Sequence, residues 1–195
     1  MRCALCHRLS WNLLCGACLS WIAPTPTTRT IGDLRVYSVF DYHEIEMLLK
    51  SKYSIIGSRI LRLLAQKAAR FFAQNAELPR EIYGIGIDDK PKGGYAHTAI
   101  IAHAFERYAG IAALYGRIIA QNHVHYAGKS LDFRRKNPRR FATTLTQKLA
   151  GNGVILYDDI IVTGTTLCEA ARLLQKRGIP VVCAITLCSA TRTTV

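Results

Sequence analysis

Asp158 and Asp159 are adjacent carboxylates set in an informative context. Val154-Ile-Leu-Tyr157 precedes them, and Ile160-Ile-Val-Thr-Gly-Thr-Thr166 follows. Four apolar residues read as a fully buried strand that delivers both acids at its carboxyl end, the edge where open α/β sheets bind ligands. Two neighbouring carboxylates can accept hydrogen bonds from a vicinal diol such as a ribose. Val162, Thr163, Gly164, Thr165 and Thr166 then lead into a helix, with Thr166 and Glu169 at capping-box spacing. Free backbone N–H groups, hydroxyls and a glycine that permits close approach suit an anion. A diol on one side and a 5′-phosphate on the other describe a phosphoribosyl group. The plainer reading is a strand-to-helix turn with a capping threonine and two solvated aspartates, which leaves the acids unexplained.

A second constellation lies at the start of the chain. Cys3-x2-Cys6 and Cys15-x2-Cys18 are two knuckles separated by eight residues. Together they can supply four thiolates to one tetrahedral Zn²⁺. So short a segment buries little, and coordination would be its main source of folding energy. A redox C-x-x-C would follow a strand in a thioredoxin-like pattern, which is absent. Cys168, Cys183 and Cys188 lie in apolar segments and read as buried thiols. The expectation is a small structural zinc module.

Lys129, Arg134, Arg135, Lys136, Arg139 and Arg140 fall within twelve residues, with Tyr126, Phe133 and Phe141 beside them. Cations that follow phosphates and rings that stack on bases suit a flexible polyanion. A solvated basic loop whose aromatics anchor it to the core is the bland counterpart. His123 and His125 have no nucleophile or metal partner nearby in sequence. Together with His7, His43, His97 and His103 they read as ordinary histidines, His97 alone standing close enough to a loop to touch a ligand.

The elements that would position these groups alternate. Residues 1–22 form the zinc module, and 23–33, rich in Pro and Thr, read as a linker. Residues 34–40 read as a strand, and Asp41 caps a helix with Ile45, Leu48 and Leu49 on its apolar face. A helix over 56–74 turns Ile60, Leu63, Leu64 and Phe71 inward. A strand at 81–87, a helix at 95–109, a strand within 112–120, a polar and basic excursion at 122–140, the strand 154–157, a helix up to Arg177 and a strand at 181–187 complete the chain. Gly178 and Pro180 stop the last helix. This order predicts an α/β fold, a parallel sheet flanked by helices over residues 34–195.

Composition bounds the function. Half of the 195 residues are hydrophobic, 20% are charged, and the formal charge is +13. That excludes a disordered chain, which is apolar-poor. The excess cations would attract nucleic acid, phosphorylated metabolites or anionic lipid. The charge-free stretch from Leu9 to Thr28 is broken by Asn12, Gly16 and two prolines, so neither membrane insertion nor a secretory signal is expected. A cytoplasmic protein, membrane-associated only through partners, is the matching expectation.

The thirteen residues Val154–Thr166 resemble the phosphoribosyl pyrophosphate motif of type I phosphoribosyltransferases. With the four-cysteine head, the whole chain resembles the ComF competence family, which joins a zinc finger to a phosphoribosyltransferase-like domain. Lys92-Gly-Gly-Tyr-Ala-His97 is similar to that family's Arg-Gly-Phe-Asn-Gln segment. Ser130-Leu-Asp-Phe-Arg134-Arg-Lys-Asn137, with Phe141, is similar to its Ser…Arg-x-x-Asn…Phe segment. Val162 stands where the family often has Thr. The resemblance implies a phosphoribosyl site at Asp158, Asp159 and residues 162–166, and a pyrophosphate loop at Asp88, Asp89, Lys90 and Lys92. It also implies a single-stranded DNA surface at Lys92, Tyr95, Lys129, Arg134, Arg135, Lys136, Arg139 and Arg140, and Mg²⁺ accompanying phosphoribosyl pyrophosphate.

Three functions follow. The first is a competence protein that handles incoming single-stranded DNA, binds phosphoribosyl pyrophosphate or a related ribose phosphate, and meets a DNA helicase or another competence protein. The second is an active phosphoribosyltransferase for a small nucleobase. The third is a zinc-dependent interaction module on a retired enzyme domain. Whether transferase chemistry operates does not follow from the residues.

Overall fold

A computed structural model describes residues 1–54, 56–77, 81–88, 91, 94–122, 133, 137 and 139–190. Its centre is a five-stranded sheet in the order β1-β2-β7-β6-β3. The strands are β1 (Thr27–Ile31), β2 (Leu34–Asp41), β3 (Tyr83–Gly86), β6 (Val154–Ile161) and β7 (Val181–Ser189). All neighbours are parallel except β1, which pairs antiparallel with β2. A separate antiparallel pair is formed by β4 (Ile118–Ala120) and β5 (Phe141–Thr143). Parallel bridges Gly84–Ala113 and Ile87–Ile118 lay that segment beside β3. The mostly parallel sheet flanked by helices agrees with the sequence.

Near-continuous apolar strands must be covered on both sides, and each face has its own core. On one side lie α2 (Tyr42–Lys50), α3 (Gly57–Asn75) and α4 (His97–Ala109) over Phe40, Ile155, Tyr157, Ile185 and Leu187. On the other, α6 (Thr165–Gln175) covers Val36, Ile85, Leu156 and Ala184. Asp41 caps α2 by accepting the His43 N–H at 2.7 Å, as its position predicts. In α3 the buried stripe runs through Ile60, Leu61, Leu64, Ala65, Ala68, Ala69 and Phe72. Leu63 and Phe71, expected to point inward, are only partly buried at its edge.

Four further elements depart from the sequence reading. Residues 27–31, placed in a linker, form β1, because their backbone pairs with the outer edge of β2. The buried strand does not end at Tyr157. It continues through both aspartates to Ile161, held by the register Asp158–Thr186 and Ile160–Cys188 on β7. Strand β5 and the short helix α5 (Gln147–Ala150) were not foreseen. Most of the basic excursion, including His123 and His125, lies outside the described residues.

The head folds onto the domain. Its single helix α1 (Gly16–Trp21) starts at Cys15, and Cys3, Leu14 and Ile22 join the same core as α3. The Lys67 ammonium on α3 donates to the Leu19 carbonyl at 2.6 Å, and Thr25 N–H donates to Val39 O at 2.8 Å. No described helix is long and apolar enough to cross a membrane.

Candidate functional site

Strand β6 brings Asp158 and Asp159 to the carboxyl edge of the sheet, where the chain turns into α6. Asp158 accepts the Asp159 N–H at 2.9 Å. Desolvation first, and the Asp159 carboxylate second, push the Asp158 carboxyl up to about 8. Asp158 is thereby biased toward its protonated form, in which it can donate as well as accept. Such a pair suits two vicinal hydroxyls.

Gly164 precedes α6 with φ +75°, a left-handed conformation in which a side chain is strained, and Ile31 of β1 packs against its Cα. Thr163 and Thr165 share a hydroxyl hydrogen bond of 2.9 Å. The expected capping box is not formed: Glu169 accepts the Arg139 N–H at 2.9 Å instead, while Thr163 Oγ1 accepts the first N–H of α6, from Thr165, at 3.4 Å. The N–H groups that follow in the first turn, reinforced by the helix dipole, suit an anion. The sequence-predicted residues Asp158, Asp159, Val162, Thr163, Gly164, Thr165 and Thr166 are in this way brought together at one strand-to-helix turn.

Two cations at this turn escaped the sequence. Lys52, in the 3-10 turn Ser51–Tyr53 between α2 and α3, donates from its ammonium to Asp159. The pair is nearly closed to solvent, with side chains 15% and 9% exposed. Burial disfavours the ammonium, but the Asp159 carboxylate outweighs it and the net shift is upward. Arg29 of β1 donates to the Val162 carbonyl at 3.2 Å and to Ser189 Oγ at 3.3 Å. Nothing local marks either residue. Lys52 is 107 positions from its partner, and Arg29 sits in a stretch with linker composition.

Of the expected pyrophosphate loop, Asp88 is described; Asp89, Lys90 and Lys92 lie outside the described residues. Asp88 has φ +55°, accepts the Ala120 N–H at 3.1 Å, and faces Arg139 Nη1 at 3.7 Å. Of the expected DNA residues, Lys129, Arg134, Arg135 and Lys136 also lie outside the described residues. Arg139 is partly buried against Asp88, whereas Arg140 is exposed. Tyr95 is partly buried: its phenol donates to the Lys52 carbonyl and its ring meets His97 edge-on at 4.8 Å. Tyr95 and Tyr53 thereby flank Lys52, and His97 meets both rings edge-on.

In the head, the sulfurs of Cys3, Cys6, Cys15 and Cys18 all lie within 4.8 Å of one another. Cys6 and Cys15 are 3.6 Å apart. That is far beyond a disulfide bond of about 2.05 Å. It matches the edge of a tetrahedron with Zn–S near 2.3 Å, about 3.8 Å. Cys15 N–H donates to Cys3 Sγ at 3.3 Å and Cys18 N–H to Cys15 Sγ at 3.4 Å. Backbone N–H groups of Cys6 and Cys15 pull the Cys3 thiol down to about 6, while hydrogen bonds to Cys6 and Cys15 push Cys18 up to about 12. Four sulfurs this close cannot all ionise alone, so the donor set fits a dication that displaces their protons.

The model of the phosphoribosyl transferase domain family matches residues 92–195, just over half of the chain. The chain belongs to that family. Curated relatives extend the likeness beyond those residues. The DNA utilization protein YhgH of Escherichia coli O157:H7 is 24% identical over 182 residues, covering 91% of this chain and 78% of that one. Its Salmonella typhimurium counterpart is 25% identical over 182 residues, with the same shares. The resemblance to the ComF family therefore holds for the chain as a whole. Among solved structures, glutamine phosphoribosylpyrophosphate amidotransferase from B. subtilis, complexed with ADP and GMP, aligns at 16% identity. The alignment covers 70% of this chain and 30% of that one, with a TM-score of 0.44.

Proposed function

We propose that this protein acts in the handling of incoming single-stranded DNA and binds a phosphoribosyl ligand, such as phosphoribosyl pyrophosphate, at the β6–α6 turn. The observation that carries the ligand is the juxtaposition of the adjacent Asp158 and Asp159 carboxylates with the glycine-led start of α6. Ribose hydroxyls meet Asp158 and Asp159, and the 5′-phosphate meets residues 163–166. The DNA role is supported by the name of the relatives and by the six cations between residues 129 and 140. In this reading Zn²⁺ on Cys3, Cys6, Cys15 and Cys18 is structural. Leu9, Trp11 and Trp21, exposed on the head, suit a protein partner such as a helicase or another competence protein.

Among the described residues the cysteines are the one group of three or more potential metal ligands. The family match supports Mg²⁺ arriving with the pyrophosphate of the ligand. The test is a calorimetric titration with phosphoribosyl pyrophosphate and Mg²⁺, comparing wild type with Asp158→Asn/Asp159→Asn. Binding that the double variant loses supports the site; equal binding by both proteins overturns it. A second reading, transfer to a small nucleobase, is favoured by the family match over residues 92–195. Robust pyrophosphate release with one base from a panel would place it first.

A further inference from the structure

The residue this site gains from outside its own motif is Lys52, and it is held by construction. The turn that carries it closes through the Ser54 N–H donating to the Ser51 carbonyl at 2.7 Å. Gly57 packs so tightly there that a Cβ would lie 2.2 Å from Ser51 O and 2.6 Å from the Lys52 Cα. The Tyr95 phenol clasps the Lys52 carbonyl from the other side. Its ammonium lies 5.2 Å from the centre of the Tyr53 ring, which is itself largely exposed. The backbone on both sides thus aims one ammonium at one carboxylate, and the Tyr53 side of that pair opens to solvent.

Burying an ion pair is costly unless something requires it. The requirement here is electrostatic. A phosphoribosyl ligand brings several negative charges to a place already holding two acids. The Lys52 ammonium, seated on Asp159 in a nearly closed pair, offsets acid charge at that place.

We propose that Lys52 is a ligand-positioning residue: its ammonium, fixed on Asp159, offsets acid charge at the ribose end of the site so that a polyanionic phosphoribosyl ligand meets less repulsion there. This inference rests on the reading of Asp158 and Asp159 as the ribose acceptors. It adds that charge balance at the diol comes from the chain itself, from a turn outside the family-matched residues.

The experiment compares ribose 5-phosphate with phosphoribosyl pyrophosphate by calorimetry in EDTA and again in Mg²⁺, for wild type, Lys52→Met and Lys52→Arg. Wild type binds both ligands in EDTA. Lys52→Met loses at least about tenfold in affinity for phosphoribosyl pyrophosphate and clearly less for ribose 5-phosphate, because the former carries more charge. Mg²⁺ narrows that gap, and Lys52→Arg stays within about threefold of wild type. Melting temperatures report folding, and Lys52→Arg keeps the comparison usable if Lys52→Met is unstable. Unchanged affinity in Lys52→Met, or equal loss for both ligands that Lys52→Arg fails to rescue, overturns the charge-balancing role while leaving the ribose site standing. If wild type binds neither ligand in either buffer, the ribose site itself is wrong and this inference falls with it.

Discussion

At the scale of single residues, the aspartate pair makes the sharpest predictions. Burial raises Asp158 from the usual carboxylate range to about 8. The unfolded chain releases that proton near pH 4, but the folded chain retains it. Stability therefore falls as pH rises between about 4 and about 8, with a slope of at most about 1.4 kcal/mol per pH unit from this group, and levels off above. Asp158→Asn cannot ionise, so its melting temperature should lack that part of the decline. A parallel pH dependence in the two proteins would show that Asp158 is not the group responsible. Gly57 is a second test. Its Cβ would strike backbone of the Ser51–Lys52 turn rather than a yielding side-chain tip. Gly57→Ala should cost about 2 kcal/mol or more in denaturant titrations and displace Lys52, weakening ligand binding as well as folding.

At the scale of elements, the head and β1 are the informative pieces. The four cysteines read from sequence as a self-sufficient module joined by a linker. The structure instead merges Cys3, Leu14 and Ile22 with the α3 core and stitches residues 27–31 onto β2. Chelation should therefore lower the melting temperature of the whole protein in one cooperative transition. Calorimetry showing an independent, low-temperature transition for the head would contradict the shared core. Zinc content by a chromogenic chelator should be one ion per chain, and Cys3→Ser should reduce it together with stability. Strand β1 also explains why the phosphate turn is shaped as it is. Ile31 presses on Gly164, and Arg29 holds the carbonyl of Val162. Composition alone hid this, because Thr-rich, Pro-flanked sequence pairs as an edge strand only when β2 offers it a partner.

At the scale of the molecule, the charge of +13 is divided among different tasks. Lys52 and Arg29 serve the β6–α6 turn, and Lys67 ties the head to α3. Arg139, counted from sequence among the DNA cations, is partly buried beside Asp88 while its backbone binds Glu169. Six phosphates neutralised by the basic excursion would give a slope of log affinity against log salt near −4 for single strands; five would give about −3.5. With Arg139 engaged by Asp88, the smaller slope is expected in mobility-shift titrations. Arg134→Ala/Arg135→Ala should weaken DNA binding and leave the melting temperature within a degree or two. Arg139→Ala should chiefly destabilise the fold, since it removes the partly buried Arg139–Asp88 ion pair. The reverse pattern would return Arg139 to the DNA surface.

What was legible in the chain beforehand was local. Four thiols at knuckle spacing, two acids behind an apolar run, and a Thr-Gly-Thr turn each do chemistry with neighbours a few residues away, so type and spacing suffice to name them. The alternation of apolar runs likewise implied the parallel sheet, since burial on both faces imprints itself on every strand. Tertiary packing alone decided which cations answer those acids, that β6 runs on past Asp158, and that Glu169 holds the Arg139 N–H rather than closing a capping box with Thr166. Charges act through space, and a buried ammonium is tolerated wherever folding places a carboxylate beside it, however many residues intervene.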